Sequence, residues 1–278
     1  FHNFEGLYGS MAAIILVMLW LYFCMYTILL GGLINSMLLE KEISVKESEK
    51  ERGKKMKNLR DYIRIARVDH WIKQLFIFPG MVFALFLVKD VQIRSVIGDI
   101  VKAFISTCFI ASANYVINEW LDAKFDKYHP VKKYRPVVSG NLKVKWILVE
   151  YVVLAALGLL MGWLTSKYVF AMELWLFIMG ILYNVKPVRT KEIPYLDVIS
   201  ESVNNAIRLL IGWFAITSAF FPPISIVFGY WMGGAFLMAT KRYSEYRMIA
   251  DKDTAAHYRK SFRYYTEKSL LISAFFYA

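Results

Sequence analysis

Charged residues are absent from long stretches of this chain, and those stretches have the length of membrane spans. Gly6 to Leu39 contains no charged residue. Further apolar runs are centred on residues 72–88, 101–120, 146–164, 168–184, 199–219 and 222–240, and a shorter one covers 269–278. A helix crosses a bilayer with about 20 apolar residues, because it satisfies its own backbone hydrogen bonds. The pattern predicts an all-α, polytopic membrane helix bundle with seven spans, and the short last run predicts that C-terminal spans are missing.

Composition agrees with this prediction and excludes other classes of protein. The chain is 58% hydrophobic and only 20% charged, which is unlike a disordered chain or an ordinary soluble enzyme. Cys24 and Cys108 both lie inside apolar runs, so neither a disulfide-stapled secreted module nor a zinc site is expected.

The positive charge is distributed unevenly between the connecting segments. Of the 34 Lys and Arg residues, 29 fall in alternate connections, which are 38–73, 121–145, 185–197 and 241–268. Such an excess marks cytoplasmic loops. The asymmetry therefore predicts a multi-pass protein of the cell membrane with these four loops on the cytoplasmic face, and it explains the basic character without any nucleic acid.

A polar segment separates the first span from the rest. Residues 40–66 are dense in charges of both signs, so we expect a linker at 46–61 between a transmembrane segment, 1–45, and a larger domain, 62–278. Residues 62–73 alternate basic and apolar positions, which predicts an amphipathic helix at the membrane interface.

The first cluster of candidate functional residues follows span 101–120. Asn118, Asp122 and Asp126 are four residues apart, so on a helix they share one face. Carboxylates that converge repel each other unless a cation lies between them, and Mg²⁺ prefers such oxygen ligands. Donors suited to phosphate oxygens come next in the sequence, namely His129, Lys132 and Arg135. The alternative is a solvated, salt-bridged loop.

A second cluster begins where span 168–184 ends. Tyr183 opens it, and a polar stripe at helical spacing then runs into the membrane, formed by Asp197, Glu201, Asn204 and Arg208. Ionisable residues inside a membrane normally face a cavity or the bundle interior. The alternative is an internal pairing of Glu201 with Arg208 that only joins helices. Lys241 and Arg242 close span 222–240 on the same side.

Together these features resemble the UbiA superfamily of intramembrane prenyltransferases. The resemblance covers about residues 60–278 and includes the stretches 67–73 and 129–136. It implies a multi-helix bundle in which two Asp-rich motifs bind a polyprenyl phosphate or diphosphate through Mg²⁺. Carried onto this chain, the catalytic residues are Asp122, Asp126 and Asp197, and the metal ligands are these three with Asn118 and Glu201. The implied phosphate-binding residues are Lys73, His129, Lys132, Arg135, Lys186, Arg189, Lys241 and Arg242. The implied polar pocket comprises Asn118, Tyr183, Asn204 and Arg208.

Within that superfamily the chain looks most like decaprenyl-phosphate phosphoribosyltransferases, which join phosphoribosyl diphosphate to a lipid phosphate. It departs from them at Glu119, at Glu201 and in the long loop 183–197. The loop favours an alternative, prenyl transfer from a prenyl diphosphate to an aromatic or other lipophilic acceptor. A transporter or a structural membrane protein is the alternative of another class. Polar clusters at helix ends favour catalysis on a lipid headgroup instead.

The first 45 residues resemble a different class of membrane protein. Their uncharged span and the Leu-Gly-Gly-Leu-Ile-Asn sequence at 30–35 resemble the last span of YihY/BrkB-type membrane proteins. The sequence leaves open whether residues 1–45 are a natural fusion or an assembly join.

Overall fold

A computed structural model describes residues 54–88, 91–129, 131–138, 142–249 and 252–278. The chain divides into two units, residues 1–57 and 58–278, and the predicted first span at 10–36 lies outside the described residues. The described residues contain helices and no strand. The α-helices are α1 (Lys54–Ile65), α2 (Phe78–Leu87), α3 (Ile93–Asp126), α4 (Val144–Thr165), α5 (Lys167–Asn184), α6 (Leu196–Ile216), α7 (Ile224–Met248), α8 (Lys252–Tyr258) and α9 (Glu267–Tyr277). The 3₁₀ segments are Val68–Ile77, Lys132–Tyr134, Thr190–Glu192 and Lys260–Arg263.

The apolar run at 72–88 forms two helical elements, a 3₁₀ segment and α2, instead of one regular α-helix. Arg67 adopts a left-handed conformation, with φ of 52°, and ends the regular geometry that α1 began. A 3₁₀ segment follows, and α2 starts at Phe78. Pro79 suits the first turn of α2, because an N–H at that position would have no acceptor within the helix. The continuous amphipathic helix predicted over 62–73 is therefore wrong, because the chain turns at Arg67.

Three described segments are long and apolar enough to cross a membrane: Arg60–Leu87, Arg94–Asp126 and Val144–Thr165. Helices α5, α6 and α7 match the other predicted spans in position. Large apolar side chains are exposed along the bundle, among them Trp163 at 63% and Phe228 at 55%. Exposed apolar surface of this extent suits lipid and not water. The all-α membrane bundle predicted from the sequence is confirmed.

Helix α6 lies at the centre of the bundle. It packs against α2, α5 and α7, and every side chain from Leu209 to Ile216 is buried. Two glycines let α2 and α6 approach closely. A Cβ on Gly80 would lie 1.9 Å from the carbonyl oxygen of Leu209, and a Cβ on Gly212 would lie 1.9 Å from that of Ile77. Small residues at such crossings are typical of membrane helices.

The helix directions bring the polar motifs to one end of the bundle. Only Ser166 separates α4 from α5, and its Oγ accepts a hydrogen bond from the N–H of Val169 at 3.1 Å, which caps the new helix. Helix α5 packs against α3 and ends at Asn184, which shares Lys191 as a hydrogen-bond partner with Asn118 of α3. Helix α6 starts at Leu196 after the connecting loop. The loops between these helix ends build the candidate site.

We predict that Gly212→Ala lowers the stability of the bundle, because the added methyl group would overlap backbone atoms that no side-chain rotation can move. The expected loss is about 1–3 kcal/mol or more, measured by thermal unfolding of the protein in detergent. Gly98→Ala is the matched control, since no atom lies within 4 Å of a Cβ placed there. Equal unfolding temperatures for the two variants would contradict the close helix crossing.

Candidate active site at the helix ends

The last turns of α3 present the first acidic group. Asp122 Oδ1 accepts hydrogen bonds from Arg189 Nη2 at 2.9 Å and from Lys191 Nζ at 2.5 Å. Both donors lie in the turn after α5, where Arg189 holds a left-handed backbone with φ of 35°. A strained backbone of this kind persists where surrounding contacts hold it, and it is common at functional sites.

Lys191 is the least expected member of the site. Its ammonium is surrounded by three oxygens, which are Asn118 Oδ1 at 3.0 Å, Asp122 Oδ1 at 2.5 Å and Asn184 Oδ1 at 2.8 Å. The residue is only 5% exposed, and burial lowers the pKa of the ammonium to about 8, although Asp122 opposes this shift. Sequence reasoning did not select Lys191, because a turn has no periodicity from which to infer where a side chain points.

Asp126 belongs to a separate ion-pair group on the same helix. It is buried and pairs with Nη1 of Arg135, whose Nε also lies 3.9 Å from Oε2 of the buried Glu119. Arg67 Nε lies 4.0 Å from the same Glu119 oxygen. Glu119, which departs from the family pattern, is thus a buried partner of two arginines.

The loop after α3 is held by contacts to the end of α7 and to α8. Lys132 Nζ donates to Glu245 Oε1 at 2.9 Å and also contacts the hydroxyl of Tyr258. His129 Nδ1 accepts the backbone N–H groups of Val131 and Lys132 at 3.1 and 3.2 Å. Burial lowers the pKa of His129 to about 4, so the ring is neutral at pH 7. His129 therefore shapes the loop, and phosphate binding by this residue stays a prediction.

Asp197, at the start of α6, is fully buried and enclosed by donors. Its Oδ1 accepts from the hydroxyl of Tyr265 at 2.7 Å. Its Oδ2 lies 3.2 Å from both Arg242 Nε and Ser261 Oγ, and 3.5 Å from Arg259 Nη1. These bonds fasten the segment after α8 to α6. The structure thus gives Asp197 a structural task, and its catalytic role stays a prediction.

Arg242 joins the second acidic group, which consists of Asp197, Glu201 and Glu245. It is 1% exposed, and its guanidinium donates to Tyr183 Oη at 2.8 Å, to Glu245 Oε2 at 2.9 Å and to Glu201 Oε2, besides Asp197. Glu201 also accepts from Tyr183 at 2.8 Å and from Lys241 Nζ at 3.1 Å. The neighbouring basic residues 241 and 242 therefore differ in exposure, since the Lys241 side chain is 48% exposed and that of Arg242 is buried.

The remaining predicted residues lie around this centre. Arg208 Nε donates to Gln74 Oε1 at 2.8 Å, so it joins α6 to the 3₁₀ segment before α2 and not to Glu201 as the alternative interpretation had it. The backbone oxygen of Asn204 accepts a hydrogen bond from Arg208 Nη1 at 3.1 Å. The side chain of Lys73 is exposed, and phosphate binding by this residue stays a prediction.

Arg259 connects the two acidic groups. It lies 3.5 Å from Asp197 Oδ2 and 3.4 Å from Tyr183 Oη. It also lines a small cavity together with Asp122 and Asp126. Sequence reasoning placed Arg259 only in a basic loop, and nothing in the spacing marks it as part of the site.

The fit to Mg²⁺ can be tested on these contacts. Within the described ranges, no three His, Cys, Asp or Glu side chains come together as a metal site. Asp122, Asp126, Asp197 and Glu201 each meet basic side chains instead of one shared point. The cage around Lys191 nevertheless holds a buried cation among three hard oxygen ligands, and such a donor set suits Mg²⁺.

Comparison with known proteins identifies relatives of both parts of the chain. Residues 75–278 match the sequence model of the UbiA prenyltransferase family, and residues 1–57 match that of Virulence factor BrkB. A UbiA homolog from Archaeoglobus fulgidus, bound to GPP and Mg²⁺, has a similar fold, with a TM-score of 0.64 and 20% identity over 78% of this chain and 73% of that chain.

Curated relatives fall into two groups. Decaprenyl-phosphate phosphoribosyltransferase from Corynebacterium glutamicum is 28% identical over 76% of this chain. Protoheme IX farnesyltransferase from Oceanobacillus iheyensis is 31% identical over 54% of it. The chain spans 61% of the length of the first relative and 48% of the second.

We predict that Arg242→Met destabilises the protein by about 3–5 kcal/mol, because it leaves buried carboxylates without their shared counter-charge. Lys241→Met, a neighbouring substitution that removes a half-exposed ion pair, should cost about 1 kcal/mol or less. Unfolding of both variants in the same detergent measures the difference. Similar losses in the two variants would show that Arg242 is not the buried hub.

Proposed function

The chain belongs to the UbiA prenyltransferase family, and from that premise we propose that it is an integral membrane transferase acting on a polyprenyl phosphate or diphosphate with Mg²⁺. The reaction takes place where α3 ends and the basic loops meet, on the cytoplasmic face of the cell membrane. We assign the transferase to residues 62–278, and the membrane segment predicted at 1–45 lies outside the described residues.

The observation that carries this proposal is the oxygen cage around Lys191. A buried ammonium held by Asn118, Asp122 and Asn184 shows that these side chains are arranged to enclose a cation. Other cations lie nearby: Arg189 contacts Asp122 of the cage, and Arg135 pairs with Asp126 one helical turn further along α3. Oxygens for a metal and donors for phosphate therefore occur side by side, which is the combination that a diphosphate requires.

Each group has a task in this reaction. Mg²⁺, when bound, would neutralise the charge that develops on the departing diphosphate. On α3, Asn118 and Asp122 of the Lys191 cage would hold the ion, and Asp126 would join them after releasing Arg135. On α6, Asp197 and Glu201 now pair with Arg242, so they would hold the ion only after exchanging this partner. Arg189 and Lys191 present N–H donors beside Asp122, so they orient phosphate oxygens and stabilise their charge. Lys73, Lys132, Arg135, Lys186, Lys241 and Arg242 supply the surrounding positive field.

Phosphoribosyl transfer to a polyprenyl phosphate is the first candidate reaction. The phosphoribosyltransferase relatives match about three quarters of this chain, and the loops supply many cations for a substrate with several phosphates. Prenyl transfer from a prenyl diphosphate to a lipophilic acceptor is the second candidate. The farnesyltransferase relatives favour it, as does the loop between α5 and α6.

We predict that Asp122→Ala and Asp126→Ala each lower Mg²⁺-dependent transfer by at least about a hundredfold, because each removes a ligand and leaves an unpaired cation. Membranes containing each variant are incubated with labelled polyprenyl phosphate and phosphoribosyl diphosphate, and separately with a prenyl diphosphate and aromatic acceptors. The labelled product identifies the reaction.

The control for this experiment is Asp99→Ala. Asp99 lies near the start of the same helix and pairs with Lys102 at 2.6 Å, away from the cage. Its loss should leave activity unchanged. Near-normal activity in Asp122→Ala or Asp126→Ala would contradict the assignment, whichever substrate pair is used.

We also predict that Lys191→Met strengthens Mn²⁺ binding in the absence of substrate by about tenfold or more, since a cation must otherwise displace the ammonium from the cage. Electron paramagnetic resonance measures free Mn²⁺ during titration of the purified protein, without turnover. Lys102→Met is the control. Weaker Mn²⁺ binding in Lys191→Met would show that the three oxygens do not receive a metal.

A further inference from the structure

An open basic cleft lies beside the acidic end of α3, and of the residues that line it only Lys186 and Arg189 have roles in the reaction proposed above. Its volume is about 540 Å³, and it lies between the loop that follows α5 and the loop that precedes α9. The charged and aromatic residues that line it are Lys186, Arg189, Glu192, Lys260, Arg263 and Tyr264.

The cleft carries an excess of positive charge. Four basic side chains line it, against the single carboxylate of Glu192. That carboxylate already forms ion pairs with Arg189, whose Nε lies 2.7 Å from it, and with Lys260, whose Nζ lies 2.8 Å from it. Lys186 and Arg263 are exposed on the cleft and bring two further charges. An anion that enters the cleft therefore meets cations that Glu192 does not neutralise.

The cleft continues into the candidate active site. Arg189, Glu192 and Lys260 line both this cleft and the small cavity that holds Asp122 and Asp126. Arg189 bridges the two spaces directly, because its Nη2 donates to Asp122 while its Nε meets Glu192. A ligand with two separated anionic groups can place one group in each space.

We infer that this cleft binds the phosphate monoester of a water-soluble sugar phosphate, at a position separate from the diphosphate held at α3. Arginine forms paired hydrogen bonds to phosphate oxygens, and Lys186 and Lys260 add point charges. The volume exceeds that of a phosphate group alone, and the 70% exposed Tyr264 offers an aromatic face to the sugar. The inference rests on the proposed function and names the class of its soluble substrate.

The test is a binding measurement without turnover. The full chain is placed in phosphatidylcholine nanodiscs with a chelator, and ribose 5-phosphate is titrated by calorimetry. Saturable binding is expected, and the double variant Lys186→Gln/Arg263→Gln should weaken it by at least about tenfold. Both residues are exposed, so the variant should keep the unfolding temperature of the parent. Arg247→Gln, which alters an exposed arginine outside the cleft, should bind like the parent.

Three results would overturn the inference. The first is that ribose 5-phosphate shows no saturable binding. The second is that the double variant and the control bind it with equal affinity. The third is that the double variant weakens only the binding of the protein to phosphatidylglycerol vesicles. The last result would assign the cleft to a lipid headgroup. If the protein catalyses transfer but does not bind ribose 5-phosphate, the inference about the cleft is wrong and the proposed function stands. If it binds ribose 5-phosphate but catalyses no transfer, the inference about the cleft is supported and the proposed function is contradicted.

Discussion

The buried guanidinium of Arg242 is the interaction on which the loop end of the bundle depends. Asp197, Glu201 and Glu245 come from two different helices and would repel one another without it. Removing charges from water costs several kcal/mol each, and only close opposite charges with full hydrogen bonding compensate for that cost. The start of α6 and the end of α7 therefore meet around this side chain, and the segment that carries Tyr265 joins them through Asp197.

The same need to pair buried charges explains why the carboxylates at the end of α3 are surrounded by basic side chains. Asp122 and Asp126 lie beside a membrane helix bundle, and the loops supply Lys191, Arg189 and Arg135 as their counter-charges. A polyanionic substrate with its metal brings charges of both signs to such a place. Carboxylates and basic side chains can then exchange partners without leaving any of them uncompensated, which suits a site for diphosphate chemistry.

Much of the architecture could be predicted from the sequence, because membrane spans have a strong physical signature. The length of the apolar runs determined the helical bundle, and spacing alone put Asn118 and Asp122 on one helix face, where both now contact Lys191. The two-element form of residues 68–87 was not predictable, since it depends on the left-handed Arg67 and on the close approach of Gly80 to α6. Hydrophobicity does not encode either feature.

The sequence by itself determined which residue types lie at the helix ends, and only the tertiary structure decided which of them meet. Lys241 and Arg242 are adjacent and look equivalent in the sequence, yet one is half exposed and the other is completely enclosed. Lys191 and Arg259 carried no signal, because loops lack the period that orients a helical side chain. Pairs such as Lys132 with Glu245 are far apart in the chain, so their contact exists only after the helices have packed.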